Sequence, residues 1–227
     1  MTALDRRDFT IALTAMTIVV LASNILVQYP FEAWGLQDYF TWGAFTYPFS
    51  FLVTDLANRR YGPVVARKIV FVGFTLAVIC SIVIPPLLFK AGLIEFETAA
   101  NRLVRIAAAS GAAFLTAQML DVTVFNWLRR QSWWRAPIFG TLVGSVFDTV
   151  VFFSVAFSAA FAFVGPSDSF ALEQAPLMGV LPFETMRWIS WAFGDLSVKL
   201  IIAVFALIPY RLIAARWMQP APAPAGT

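Results

Sequence analysis

The chain has 227 residues, of which 60% are hydrophobic and 16% aromatic, and only 13% are charged, against roughly 25% charged in a soluble domain. A net charge of +3, no histidine and one cysteine, Cys80, exclude a histidine-based zinc site, a cysteine cluster, a disulfide framework and a Ser-His triad. The basic residues come in short clusters beside apolar stretches, not as a basic face, so a nucleic-acid partner is excluded too. The apolar excess needs lipid.

A hydrocarbon core of about 30 Å takes roughly 20 apolar residues per helix. Six stretches qualify: Phe9 to Gln28, Tyr39 to Ala57, Val64 to Phe89, Leu103 to Leu128, Ile138 to Val164, and Trp188 to Tyr210. The expected fold is an all-α polytopic membrane protein with six transmembrane helices in one domain, residues 1–218. Residues 219–227, rich in Pro and Ala, read as a disordered tail. The first stretch is too long and uninterrupted for a signal peptide.

Orientation follows the basic residues at the helix ends. With the N-terminus inside, Arg6, Arg7, Arg59, Arg60, Arg67, Lys68, Arg129, Arg130, Arg135, Arg211 and Arg216 share one side, against Lys90, Arg102, Arg105 and Arg187 on the other. Both termini are therefore expected in the cytoplasm. The opposite loops carry acids such as Glu32, Asp38, Glu95 and Asp168, and Trp34, Trp42, Trp133, Trp134, Trp188 and Trp217 fall near the interfaces. Six spans split three plus three, and an odd number per half would set two equivalent halves in opposite orientations.

Polar residues inside the spans are costly, about 2.5–3.5 kcal/mol for a central charge on insertion scales, and point to function. Asp195 and Lys199 are four apart and share a helix face, either as an ion pair that eases insertion or with Lys199 meeting another helix and Asp195 meeting substrate. Gln118 and Asp121 are three apart with no cation in the same turn, a pattern that favours substrate contact. Asp148 follows Gly144 and Ser145, where small residues permit close helix approach, and reads either as a structural hydrogen-bonder to a neighbouring helix or as a ligand group. Asn24 and Gln28 are neutral companions on the first span. The candidate substrate-binding set is thus Asn24, Gln28, Gln118, Asp121, Asp148, Asp195 and Lys199.

The second span carries Pro48, which removes a backbone donor and frees a carbonyl at mid-membrane. At its cytoplasmic end Asp55 precedes Arg59 and Arg60 by four and five residues, beside Gly62-Pro63. These three suit an inner gate whose pairing differs between conformations, or simply a helix cap with a topology signal.

Several segments together carry a resemblance. They are Ser23-Asn24-Ile25-Leu26-Val27-Gln28, then Thr41-Trp42-Gly43-Ala44-Phe45 with Pro48-Phe49 and Thr54-Asp55-Leu56. Gln118-Met119-Leu120-Asp121-Val122 leads on to Val124-Phe125-Asn126 and Leu128-Arg129, and Trp133-Trp134, Ala136-Pro137 and Asp148-Thr149 complete the pattern. From Ser23 to Tyr210 the chain resembles the queuosine precursor transporter family, within the wider vitamin-uptake-like transporters. The resemblance implies a carrier in the bacterial inner membrane that imports 7-cyano-7-deazaguanine and its 7-aminomethyl relative; no enzymatic activity, cofactor or metal is expected. A deazaguanine offers a ring N–H and an exocyclic amine side by side, so Asp121 or Asp195 is the expected bidentate acceptor, with Gln118 and Asn24 reading the other edge and aromatic side chains flanking the ring.

Two further readings differ in class. A substrate-binding subunit of an energy-coupling-factor importer would also have about six helices, and would dock its partner through small-residue faces such as Gly111-Ala112-Ala113 or Ser158-Ala159-Ala160. An intramembrane protease would need two aspartates, Asp121 and Asp148. For energy coupling, either a proton travels on Asp121 or Asp148, or the carrier is a uniporter drained by metabolism; weak or no proton coupling is expected. The expected partners are the deazaguanine and the lipid bilayer, and a homodimer suits so small a bundle.

Overall fold

The computed structural model describes residues 3–95 and 97–217. The expected tail, residues 219–227, lies outside the described residues. The chain builds helices α1 (Ala3–Leu26), α2 (Trp42–Thr46), α3 (Phe49–Tyr61), α4 (Pro63–Lys90), α5 (Ala100–Leu128) and α6 (Arg135–Phe157). A short α7 (Ser169–Leu172) and strands β1 (Gln174–Pro176) and β2 (Glu184–Met186) precede the last helix, α8 (Arg187–Trp217). The two strands pair antiparallel, with Ala175 opposite Thr185.

Among the described residues five helices, α1, α4, α5, α6 and α8, are long and apolar enough to cross a membrane. The second expected span differs, because it is two pieces. Pro48 has no N–H to give the carbonyl of Ala44, and the chain passes the break on tighter bonds, Ser50 N–H to Tyr47 O (2.9 Å) and Phe51 N–H to Pro48 O (3.1 Å). The fifth expected span also stops early. Ser158 is extended (φ −65°, ψ 140°) and its hydroxyl accepts from the Ala160 N–H, which ends α6 at Phe157.

The turn between α3 and α4 needs Gly62, whose φ of 82° no β-carbon tolerates easily, and Pro63 then starts α4 where its missing N–H costs nothing. Met16, Val20, Ala66, Ile69, Val70, Phe114 and Val122 pack the main core, and Phe125, Ala136, Tyr210 and Ala214 a second one. Leu, Ile, Val and Phe side chains such as Ile18, Val64, Val150, Phe205 and Leu212 are instead more than half exposed around the bundle. Costly polar groups such as Asp121, Asp148 and Lys199 are buried, while many apolar side chains face outward, as lipid requires. This is a mostly helical bundle suited to a membrane, with one two-stranded hairpin in a loop.

Its two ends differ. One carries the long loops, residues 27–41 and 158–186. The other carries the short turns, at Gly62 and at residues 129–134, together with Arg59, Arg60, Arg129, Arg130 and Arg135.

Candidate functional site

A cavity of about 530 Å³ runs from the loop-bearing end into the bundle. That is ample for a small heterocycle, since ligand pockets span about 300–1,000 Å³. Its walls come from α1, α4, α5, α6 and α8, with Tyr39, Phe40 and Tyr47 from the broken segment and Phe170 and Pro176 from the α7–β1 loop.

At the inner end of the cavity lies a charged cluster. Lys199 donates to Asp148 Oδ2 (2.6 Å) and Thr149 Oγ1 (3.2 Å), and also pairs with Asp195 Oδ2 one turn back on α8. Thr149 donates to Asp195 Oδ2 at 2.8 Å. Tyr47 donates to Asp148 Oδ1 at 2.7 Å, and its ring lies 5.1 Å from the ammonium, within cation–π range. One cation thus serves two carboxylates, and the cluster keeps a net charge of −1.

The two carboxylates are not equivalent. Asp148 has both oxygens engaged and a side chain only 6% exposed. Both donors to Asp195 reach Oδ2, and its side chain is 16% exposed to the cavity. Asp195 therefore has acceptor capacity to spare. On the opposite wall Asn24 accepts from Ser81 (3.0 Å) and donates to Val20 O (2.9 Å). Gln28 lines the same wall. Phe114, Phe152, Phe153, Phe157 and Trp191 supply flat apolar surface, and the Trp191 indole N–H is fixed on Asp38 O at 2.8 Å.

Of the seven residues expected to bind substrate, five line this cavity: Asn24, Gln28, Asp148, Asp195 and Lys199. Gln118 and Asp121 do not. They are fully buried between α5, α3 and α6, where Gln118 donates to Ser50 Oγ at 2.9 Å and Asp121 faces Asp55. Sequence spacing put them on one face of α5, which is so, but could not say which neighbour that face meets. The sequence alone does not reveal Tyr47 as a partner of Asp148. The signal available was its place immediately before the intramembrane proline.

The basic end is closed by Arg59. Its guanidinium donates to Tyr210 OH (2.7 Å), Arg129 O (2.8 Å) and Trp133 O (3.5 Å), and stacks 5.2 Å from the Phe125 ring centre. α3, the α5–α6 turn and α8 are so tied together. Arg59 forms no ion pair with Asp55 among the described residues; Asp55 instead accepts from Thr141 at 3.4 Å. Arg60 is exposed at the end of α3. Among the described residues no group of three metal-type ligands exists.

Residues 41–213 match the family described as "Putative vitamin uptake transporter". The chain is 38% identical over 205 residues to a Haemophilus influenzae protein named "Probable queuosine precursor transporter", covering 84% of this chain and 79% of that one. It is 36% identical over 196 residues to the Escherichia coli "Queuosine precursor transporter", covering 85% and 79%. A Bacillus subtilis protein with the first of these names is 34% identical over 148 residues, 60% of this chain and 64% of that one. No solved structure matches the chain.

Proposed function

The chain belongs to the queuosine precursor transporter family, and from that premise we propose that it carries 7-cyano-7-deazaguanine, and the 7-aminomethyl relative, across the bacterial inner membrane by alternating access. In this reading the chain crosses six times, α2 and α3 together making the second crossing, with both termini in the cytoplasm. The excess of Lys and Arg at one end of the bundle supports that orientation. The large cavity then opens to the periplasm while Arg59 closes the cytoplasmic side, which corresponds to an outward-facing state.

The observation that carries the substrate assignment is the unequal engagement of the two carboxylates. A deazaguanine presents two adjacent N–H donors, and Asp195 retains Oδ1 and part of Oδ2 to accept them. Lys199 holds Asp195 in place, and Asp148 holds Lys199. Gln28 and Asn24, across the cavity, address the carbonyl edge of the base. The aromatic side chains on α5, α6 and α8 sandwich the ring. Asp55, Arg59 and Arg60 form the inner gate.

Binding of 7-cyano-7-deazaguanine to purified protein, with guanine as competitor, tests this. Wild type is expected to bind, and Asp195→Asn to lose at least tenfold, about 1.4 kcal/mol, because an amide N–H then faces the donors of the base. A folded wild type that binds no deazaguanine refutes the substrate. Unchanged binding by Asp195→Asn refutes the role of that residue.

A further inference from the structure

Away from the cavity, on the basic side of the bundle, two carboxylates meet with no cation between them. Asp55 on α3 and Asp121 on α5 are 2% and 0% exposed, and their side chains lie within hydrogen-bond reach of each other. Yet Asp55 Oδ1 and both oxygens of Asp121 receive no donor from any described residue. Two ionised carboxylates have only acceptors to offer one another, and a buried like-charge pair is strongly disfavoured. A proton on one of them turns the contact into a hydrogen bond and halves the charge.

The surroundings agree. From α6 comes only the neutral Thr141, and from α8 Tyr210, whose hydroxyl already accepts from Arg59. Arg59 acts on Asp55 from a distance, but its own donors are held by Tyr210, Arg129 and Trp133. Asn58, one turn beyond Asp55, donates to Val122 O at 3.2 Å, which sets its amide beside Asp121; its Oδ1 is buried and unpartnered. That amide thus brings no donor to the pair, since its N–H is given to Val122 O.

Space selects the occupant. A β-carbon built on Gly140 would lie 2.6 Å from Asp121 Oδ1, so the α6 backbone closes that side. The void beside Asp55 measures about 10 Å³, at the lower limit for one water and too small for a hydrated ion. We propose that Asp55 and Asp121 hold a single proton between them, a buried proton site separate from the substrate cavity and directly behind the Arg59 closure. Opening of that closure is what would expose the pair to the cytoplasm, so the proton is held while the basic end is shut.

Infrared spectroscopy on wild-type protein in detergent at neutral pH reads this site without any substrate. The expected spectrum contains the C=O stretch of a protonated carboxylic acid that shifts in D2O and on carbon-13 labelling of aspartate. Asp55→Asn and Asp121→Asn each supply an N–H in place of the proton, so each is expected to fold and to lose the band. A wild-type spectrum without the band, or a band that survives in either folded variant, overturns the proposal. So does a thermal stabilisation of wild type by Na⁺ over choline at equal ionic strength that both variants lose, since the pair would then hold an alkali ion. If neither variant folds, a wild-type band that fails to shift in D2O and on carbon-13 labelling still overturns the proposal. Because no deazaguanine is present, the proton site and the substrate assignment stand or fall separately.

Discussion

Replacing Lys199 by Met removes the one cation from a cluster that holds two carboxylates. Asp148 and Asp195 both bond the same Nζ, which puts their oxygens within about 5 Å, and two like charges at that separation repel by about 3 kcal/mol at an effective dielectric near 20. Breaking a buried pair by deleting one partner costs about 3–5 kcal/mol in measured cases, of the same order. In a chain of this length about 1 kcal/mol moves the midpoint of unfolding by roughly 2–4 °C. Lys199→Met is thus expected to lower Tm in detergent by about 6–20 °C. The decisive comparison is Lys199→Met with Asp195→Asn, which restores the net charge of −1 and leaves Asp148 its bond from Tyr47. That double variant should regain at least about 1 kcal/mol of the loss, as expected for residues in one network. A single variant that melts within 2 °C of wild type, or a double variant no better than the single, would refute the charge argument.

Arg59→Gln gives up the ties to Tyr210, Arg129 and Trp133. In a Cys80→Ser background, a cysteine introduced at Thr141 should then react faster with a maleimide that reaches the basic end of the bundle; an unchanged rate counts against Arg59 as the closure. Arg105→Met strips donors from Val155 O (2.8 Å), Ser158 O (2.6 Å) and Gly165 O (3.0 Å), which hold the segment after α6 onto α5. Faster proteolysis within residues 158–186 and a stability loss of about 2–4 kcal/mol are expected, and equal cleavage rates would argue otherwise. Gly144→Val should cost about 1–3 kcal/mol in thermal unfolding, because a β-carbon there meets Phe51 Cε1 at 2.6 Å and the fixed carbonyl of Ala117 at 3.1 Å. Full stability in that variant would mean that α5 and α6 can separate freely.

Long apolar runs declare themselves in a sequence because each must match the bilayer by itself, and α1, α4, α5, α6 and α8 all fall on expected spans, although α6 stops at Phe157 and α8 runs on to Trp217. The second span is different. Its apolar content says membrane, its proline says break, and only packing decides that α3 starts at Phe49 and runs thirteen residues to Tyr61. Intramembrane charges were equally visible, since Asp121, Asp148, Asp195 and Lys199 stand out against apolar neighbours. Their pairing was not, because partners lie on different helices: Lys199 meets Asp148 across 51 residues and Tyr47 meets Asp148 across 101. The periodicity of one helix names a shared face, and rotation of that helix in the bundle names what the face sees. Gln118 and Asp121 show the difference. Glycines at 140 and 144 on α6 let that helix approach α5 so closely that their side chains are enclosed between helices and not left on a cavity wall.

One segment joins the two polar clusters. Tyr47, just before the break, bonds Asp148 in the cavity, while Asp55 and Arg59, on α3 beyond it, face Asp121 and Tyr210 at the basic end. Thirteen residues of helix make a rod of about 20 Å, and Asp55 lies about 12 Å along the chain axis from Tyr47. α3 packs on α1, α4, α5 and α8 at once, so it cannot bend gradually without disturbing several interfaces. It can pivot at the Tyr47–Pro48–Phe49 break, where the helical bond to Ala44 O is already missing. A pivot there that swings Arg59 off Tyr210 would act beside Tyr47, whose hydroxyl holds Asp148. The hydroxyl of Tyr47 and any N–H of a ligand compete for the same carboxylate cluster. A donor arriving at Asp148 or Asp195 therefore acts on the anchor at one end of a rod whose other end is tied by Arg59 to Tyr210 and by Asn58 to Val122 O.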